Sequence, residues 1–184
     1  MTPQQALQEL ITGNQRYVDG IVTAVNVPAN RTLLKDGQAP IAAIIRCSDS
    51  RVAPEIVFDQ PLGKLFVCGV AGNIPTPEIV ESLEYAMRSL GVTLIVVMGH
   101  SQCGAVHAAL YNDVVDGLFA QVALAPTPDL DDCIAYNAEQ GINTILNRSF
   151  MIEDAIKSGS VQVVAGVQNI ASGKFELVAQ TQLN

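Results

Sequence analysis

Apolar residues at Ala6, Leu7, Leu10, Ile11 and Tyr17 recur with a helical period and predict a helix over Pro3 to Val18. Thr2 stands as its N-cap, Pro3 at its first position, and Gln5 closes a capping box. A polar stretch holding Pro28 and Gly37 follows, and then the pattern changes. Short, unbroken apolar runs appear at Ile41 to Ile45, Leu65 to Cys68, Val92 to Met98 and Val161 to Ala165. Continuous runs rather than alternating ones indicate strands buried on both faces, which means a parallel sheet. Helical segments separate them: Pro77 to Leu90 after the cap Thr76, Gly104 to Tyr111, and a long one from about Leu130 to Ser158. The acidic group Asp129, Asp131 and Asp132 fits the start of that long helix, where negative charge favours the macrodipole. Strands alternating with helices predict a single α/β domain, a mostly parallel sheet flanked by helices, with an amphipathic N-terminal helical arm. In such a fold, ligands bind beyond the carboxyl ends of the strands.

Composition narrows the field. With 184 residues, 49% of them hydrophobic and 15% charged, the chain has enough apolar surface to fold around one core without a disulfide or metal. That apolar share lies at the upper end of the usual range and hints at a subunit interface. Ten Lys and Arg against eighteen Asp and Glu give a net charge of -8, which argues against a nucleic-acid partner. The opening residues lack a basic segment followed by an apolar one, and no apolar run approaches the ~18 residues of a membrane span, so a cytoplasmic location and no membrane association are expected. In a reducing compartment, four cysteines point to metal ligands, reactive thiolates or buried apolar residues rather than disulfides.

Three residues combine into chemistry. His100 and Cys103 straddle a strand-to-helix turn, where a separation of three lets both side chains converge on one ion, and Cys47 arrives from the end of another strand. Sulfur and imidazole nitrogen suit zinc, and three protein ligands leave a fourth position open to water. A His-x-x-Cys pair alone is a weak signal, since buried thiols or a structural zinc would give the same letters. Its weight comes from Cys47-Ser48-Asp49-Ser50-Arg51, in which Asp49 and Arg51 can pair as a fork beside the metal and orient a bound hydroxide. Cys68 and Cys133 have no such neighbours and read as buried apolar residues, while His107, four residues past Cys103, is left out of the metal site.

Cys-Ser-Asp-Ser-Arg-Val at 47 to 52, Phe-Asp-Gln at 58 to 60, Val-Ala-Gly-Asn at 70 to 73, Leu-Glu-Tyr-Ala at 83 to 86 and Gly-His-Ser-Gln-Cys-Gly-Ala-Val at 99 to 106 closely resemble the β-class carbonic anhydrases. The resemblance implies zinc held by Cys47, His100 and Cys103, with Asp49 and Arg51 as the catalytic dyad. It further implies reversible hydration of carbon dioxide to bicarbonate and a proton through a zinc-bound hydroxide. Gln38 matches the family's amide donor to substrate oxygen, the Gly104 backbone N–H a further donor, and Phe66, Ala71 and Tyr85 its apolar pocket for carbon dioxide. The family's smallest competent unit is a dimer whose pocket residues cross the interface. A homodimer or dimer of dimers is therefore expected, with residues 1–20 as the arm used in dimer packing.

Two positions depart from the family. Gly69 stands where members usually carry Arg, and Gln168-Asn169 where many have Tyr-Asp. Members regulated by bicarbonate build a non-catalytic site from Trp, Arg and Tyr; this chain has no Trp, and the other two positions fall on Gly69 and Gln168, so that site is expected to be absent. The alternatives are a zinc hydrolase of carbonyl sulfide or carbon disulfide on the same fold, and a zinc-bound scaffold without turnover. A thiol redox protein would want a Cys-x-x-Cys pair, which the chain lacks.

Overall fold

A computed structural model describes residues 1–23, 30–111 and 116–182; Pro28 of the polar stretch lies outside them. Its elements run α1 Pro3–Val18, α2 Asn30–Leu34, β1 Ala42–Arg46, α3 Pro54–Val57, β2 Leu65–Gly69, α4 Pro77–Leu90, β3 Leu94–His100, α5 Gly104–Tyr111, α6 Leu130–Arg148, α7 Phe150–Lys157, β4 Gln162–Gln168 and β5 Phe175–Gln180. The five strands lie in the order β2-β1-β3-β4-β5, with every neighbouring pair parallel except β4 and β5. Chain direction therefore reverses its spread between β1 and β3. In an open α/β sheet this is the switch point where loops diverge and leave a crevice at the strands' carboxyl ends.

Because successive residues of a strand face opposite sides, the sheet carries two cores. Ala42, Ile44, Leu94, Val96 and Met98 pack with Ala6 and Leu10 of α1, Phe58, and Val106 and Ala109 of α5. Ala43, Ile45, Ile95 and Val97 pack with Ile79, Val80 and Leu83 of α4, Ile142 and Ile145 of α6, and Ile152 of α7. Strand β3 is buried from end to end, His100 included. No helix among the described residues is long and apolar enough to cross a membrane.

The expected long C-terminal helix is two. Ser149 adopts an extended backbone (φ -138°, ψ 102°) and caps α7 by accepting from the Ile152 N–H at 3.1 Å, while its hydroxyl donates to Glu84 on α4 at 2.6 Å. A serine satisfied in this way outcompetes helix continuation, which is the local competition that makes serine a cap. Strand β5, α2 and α3 are additions to the expected elements. Leu177 and Val178 of β5 are exposed and Phe175 buried, so this edge strand lacks the continuous buried run of its neighbours.

The N-terminal helix forms as expected, with both halves of its capping box present. Asn14 sits inside the protein and fixes it in place: its amide donates to the carbonyls of Val57 (3.0 Å) and Gly173 (2.9 Å), and its oxygen accepts from the Phe175 N–H (2.8 Å). The residue before it, Gly13, passes so close to the chain at Phe58 that a methyl group there would overlap the Phe58 carbonyl oxygen. In an isolated helix Gly→Ala stabilises by about 1 kcal/mol. Gly13→Ala is expected to do the reverse, destabilising the protein by roughly 1–3 kcal/mol as an overpacked contact forces α1 off its seat; urea unfolding of the two proteins measures it.

Candidate active site

Four parallel strands end on the same side of the sheet, and the chemistry collects there. Cys47 directly follows β1, His100 closes β3, and Cys103 leads into α5. The turn between His100 and Cys103 requires Gln102 in the left-handed region (φ 57°), a conformation costly for any residue but glycine. Ser101 steadies it: its N–H donates to the Gln168 carbonyl at 2.8 Å, and its hydroxyl accepts from the Ile170 N–H at 3.0 Å.

The result is a cluster in which one ligand atom each from Cys47, His100 and Cys103 lie within 4.8 Å of one another, all three residues buried. The two sulfurs are 4.0 Å apart. Tetrahedral coordination at about 2.3 Å per Zn–S bond requires a separation near 3.8 Å, so the pair is already spaced for zinc. His100 Nδ1 lies 2.9 Å from the Ser101 carbonyl, which fixes the proton on that nitrogen and leaves Nε2 with its lone pair free. Nε2 is fully buried and has no hydrogen-bond partner. A buried imidazole nitrogen without a partner, opposite two thiols, is a donor set that fits a zinc ion.

The electrostatics agree. Cys47 is held below the usual thiol range, first because the Cys103 thiol donates to it, and further by the Gly72 N–H at 3.3 Å. Cys103 is pushed up, first by that same bond to Cys47 and then by burial. The cluster can thus carry one negative charge on its own but resists the second, which a divalent cation supplies the means to hold. Cys68 differs: burial alone raises it to about 11, leaving an inert thiol, as its sequence surroundings suggested. Cys133 is also buried.

Asp49 stands at the mouth of the cluster, its Oδ2 3.9 Å from His100 Nε2. Both carboxylate oxygens are taken up by Arg51, with Nε to Oδ1 at 2.9 Å and Nη2 to Oδ2 at 2.7 Å, and the Arg51 backbone N–H adds a third bond to Oδ1 at 2.9 Å. Arg51 Nη2 also reaches the Gln102 carbonyl at 3.3 Å, tying the dyad to the ligand turn. The Arg51 fork holds the Asp49 carboxyl well below the usual carboxylate range, and Arg51 is raised in return. A carboxylate lowered on folding adds stability above its unfolded pKa and loses it only as pH falls through the lowered value. Asp49 therefore stays ionised at every pH at which the fold is expected to work.

The remaining expected residues divide. Gly104 follows Cys103 at the exposed start of α5, and Ala71 adjoins Gly72, so both lie beside the cluster. Phe66 and Tyr85 are paired with each other, ring centroids 6.2 Å apart, but Phe66 packs on the α4 face of the sheet, away from the core that contains Cys47 and Cys103. Gln38 is exposed before the amino end of β1, separated from Cys47 by the length of that strand. One chain alone does not bring these three to the cluster.

Two supports escaped the sequence reading. Gly72 (φ 79°) turns its N–H onto Cys47 because the left-handed backbone of the turn Ala71–Asn73 demands it. Asn137 on α6 locks that turn, donating to the Gly72 carbonyl at 2.9 Å and accepting from the Ala123 N–H at 3.0 Å. The available signal was an asparagine inside the apolar stripe Cys133, Ile134, Ala138, Ile142.

Comparison with known proteins agrees with this geometry. Residues 42–175 match the family model described as carbonic anhydrase. Carbonic anhydrase 2 of Mycobacterium tuberculosis is 35% identical over 95% of this chain and 92% of that protein, and the carbonic anhydrase of Mycolicibacterium smegmatis 33% identical over 95% and 93%. Among solved structures, a tetrameric β-carbonic anhydrase from Sordaria macrospora superposes with a TM-score of 0.73 at 23% identity, covering 97% of both chains; at that identity the match bears on the fold. Purified protein is expected to carry one zinc per chain by elemental analysis, and Cys103→Ser to lower its retention against a chelator by at least about tenfold.

Proposed function

The chain belongs to the β-carbonic anhydrases, and from that premise we propose that it hydrates carbon dioxide reversibly to bicarbonate and a proton, with zinc at Cys47, His100 and Cys103 and with Asp49 and Arg51 as the working dyad. The observation that carries the reading is the partnerless, buried His100 Nε2 facing two thiols, with the Arg51-paired Asp49 carboxylate 3.9 Å away. Zinc there supplies a water acidified enough to attack at moderate pH. The remaining work falls to the chain. Arg51 bonds both oxygens of Asp49 and so holds the carboxylate back from the ligand cluster, where a water would have room beside a bound zinc. Oδ2 accepts a hydrogen bond from the attacking water and aims its remaining lone pair at the carbon. The Gly104 N–H and the Gln38 amide donate to substrate oxygen as negative charge moves onto it. Carbon–oxygen bond formation gives bicarbonate, and the proton passes to buffer.

Phe66, Ala71 and Tyr85 form the apolar wall that holds carbon dioxide. Because Gln38, Phe66 and Tyr85 stand away from the cluster of their own chain, the competent unit is a homodimer or a dimer of dimers in which a second copy presents them. Tyr85, half exposed on α4, is available for this, and Val18, Ile21 and Val22 leave apolar surface at the end of the arm formed by residues 1–20 for dimer packing. The four cysteines are free, which suits the reducing cytoplasm.

Stopped-flow hydration of carbon dioxide by zinc-loaded protein tests the reading. Turnover is expected, falling by about 10²–10⁴-fold in Asp49→Ala at unchanged zinc content. Absence of hydration at full zinc loading, with sulfide released from carbonyl sulfide, would replace carbon dioxide with the sulfur compound as substrate. The dimer is tested separately by mixing. Gln38→Ala and Asp49→Ala chains refolded together are expected to recover several-fold more activity than either alone, since half of a mixed dimer's composite sites are intact; no recovery would confine each site to one chain.

A further inference from the structure

At Gly69 the family's usual arginine is missing from β2, and the structure fills that space from the neighbouring strand. Gly69 pairs with Arg46 in the β1–β2 register. A Cβ added at Gly69 would lie 3.4 Å from Arg46 Nε, 3.5 Å from Cζ and 3.8 Å from Nη2, in van der Waals contact with three atoms of one guanidinium. The arginine thus lies over the glycine, and a side chain longer than alanine at 69 would grow into it. Arg46 Nε is buried on this side without a partner.

The other end of the guanidinium faces the site. Nη1 donates to the Cys47 carbonyl at 2.7 Å, with a longer contact of 3.5 Å to the Asp49 carbonyl. These two carbonyls belong to the residues that carry a metal-cluster sulfur and the dyad carboxylate. Other bonds hold the turn from elsewhere: Ser48 N–H to the Val70 carbonyl at 3.1 Å, and the Gly72 N–H to Cys47 Sγ. Arg46 is the group that spans both ends of the Cys47–Asp49 turn, so it sets the tilt between them and with it the place of Asp49 relative to His100. A single nitrogen, Nη1, reaches both carbonyls, and it is held there because the rest of the guanidinium (Nε, Cζ and Nη2) lies against Gly69; a lysine ammonium has no planar group to rest on that glycine.

We propose that Arg46 is a positioning residue for the Cys47–Asp49 turn, and that Arg46 and Gly69 act as one unit in which the guanidinium comes from β1 instead of β2. The kinetic part of this inference rests on the hydration reading; the structural part does not.

The test is a swap across the ladder: Arg46→Gly, Gly69→Arg, and the double variant R46G/G69R. Arg46→Gly is expected to lower kcat by about ten- to a hundredfold, the scale of a misplaced catalytic group, with KM and zinc content little changed. Gly69→Arg is expected to be impaired as well, because two guanidiniums compete for one space. The double variant is expected to return to within about tenfold of the unmodified protein. Absorption of the cobalt-substituted proteins gives a readout independent of turnover. Bands from the thiolate ligands and the metal should move in Arg46→Gly and return in the double variant. If Arg46→Gly hydrates at the unmodified rate with an unmoved cobalt spectrum, or if the double variant is no better than the worse single one by either readout, the proposal is overturned. Should Arg46→Gly fail to fold, the double variant decides alone by the same two measurements. Loss of hydration in the unmodified protein overturns the functional reading instead, and the cobalt spectra still decide the role of Arg46.

Discussion

Two buried sulfurs 4.0 Å apart, facing an imidazole nitrogen with no hydrogen-bond partner, form an arrangement that protein atoms alone leave incomplete. One thiol can ionise by accepting from the other, but the second charge is opposed by the first and by burial. A divalent cation would let both sulfurs carry charge at once. Much of the surrounding structure serves to keep the three ligands where they are despite that conflict: a strand buried along its whole length ends at His100, a left-handed residue turns the chain back to Cys103, and the Gly72 N–H from the turn after β2 steadies Cys47.

The position of the centre follows from topology. β1 and β3 are neighbours in the sheet but not in sequence, and the chain leaves them in opposite directions. Their carboxyl ends therefore open a crevice that no single connection covers. Cys47 and His100 occupy those two ends, so the ligand cluster spans the switch point while Asp49 and Arg51 form its rim. The proposed apolar wall is divided: Ala71 stands beside the cluster, while Phe66 and Tyr85 lie on β2 and α4, away from it, which makes association between chains part of building the proposed pocket.

Most of this was legible in the sequence where one physical preference dominated. The capping box set the start of α1, and the unbroken apolar runs located the four parallel strands, because burial on both faces leaves no room for polar alternation. The ligand spacing of His100 and Cys103 was legible for a similar reason: a short turn converts sequence distance directly into space. Where preferences competed, the sequence was ambiguous. Ser149 is acceptable within a helix, and its cap on α7 is reinforced by a bond to Glu84, 65 residues away, that no local pattern announces. Strand β5 lies at an edge and shows no buried run. Arg46 ends a strand and Asn137 interrupts an apolar stripe, and no local pattern marks either; their roles depend on carbonyls brought near by the fold.

The single side chain of Asn14 joins the start of the chain to its end. Its three hydrogen bonds reach residues 57, 173 and 175, the last 161 positions along the sequence. During synthesis, then, α1 emerges well before its partners and cannot reach its full set of them until residues 173 and 175 have left the ribosome. Its apolar face must wait through most of translation without its final seat, and closure of this seam is a late, long-loop event of the kind that slows folding. Helix α1 is thus made long before it is secured, which exposes the nascent chain to premature pairing with other copies of itself.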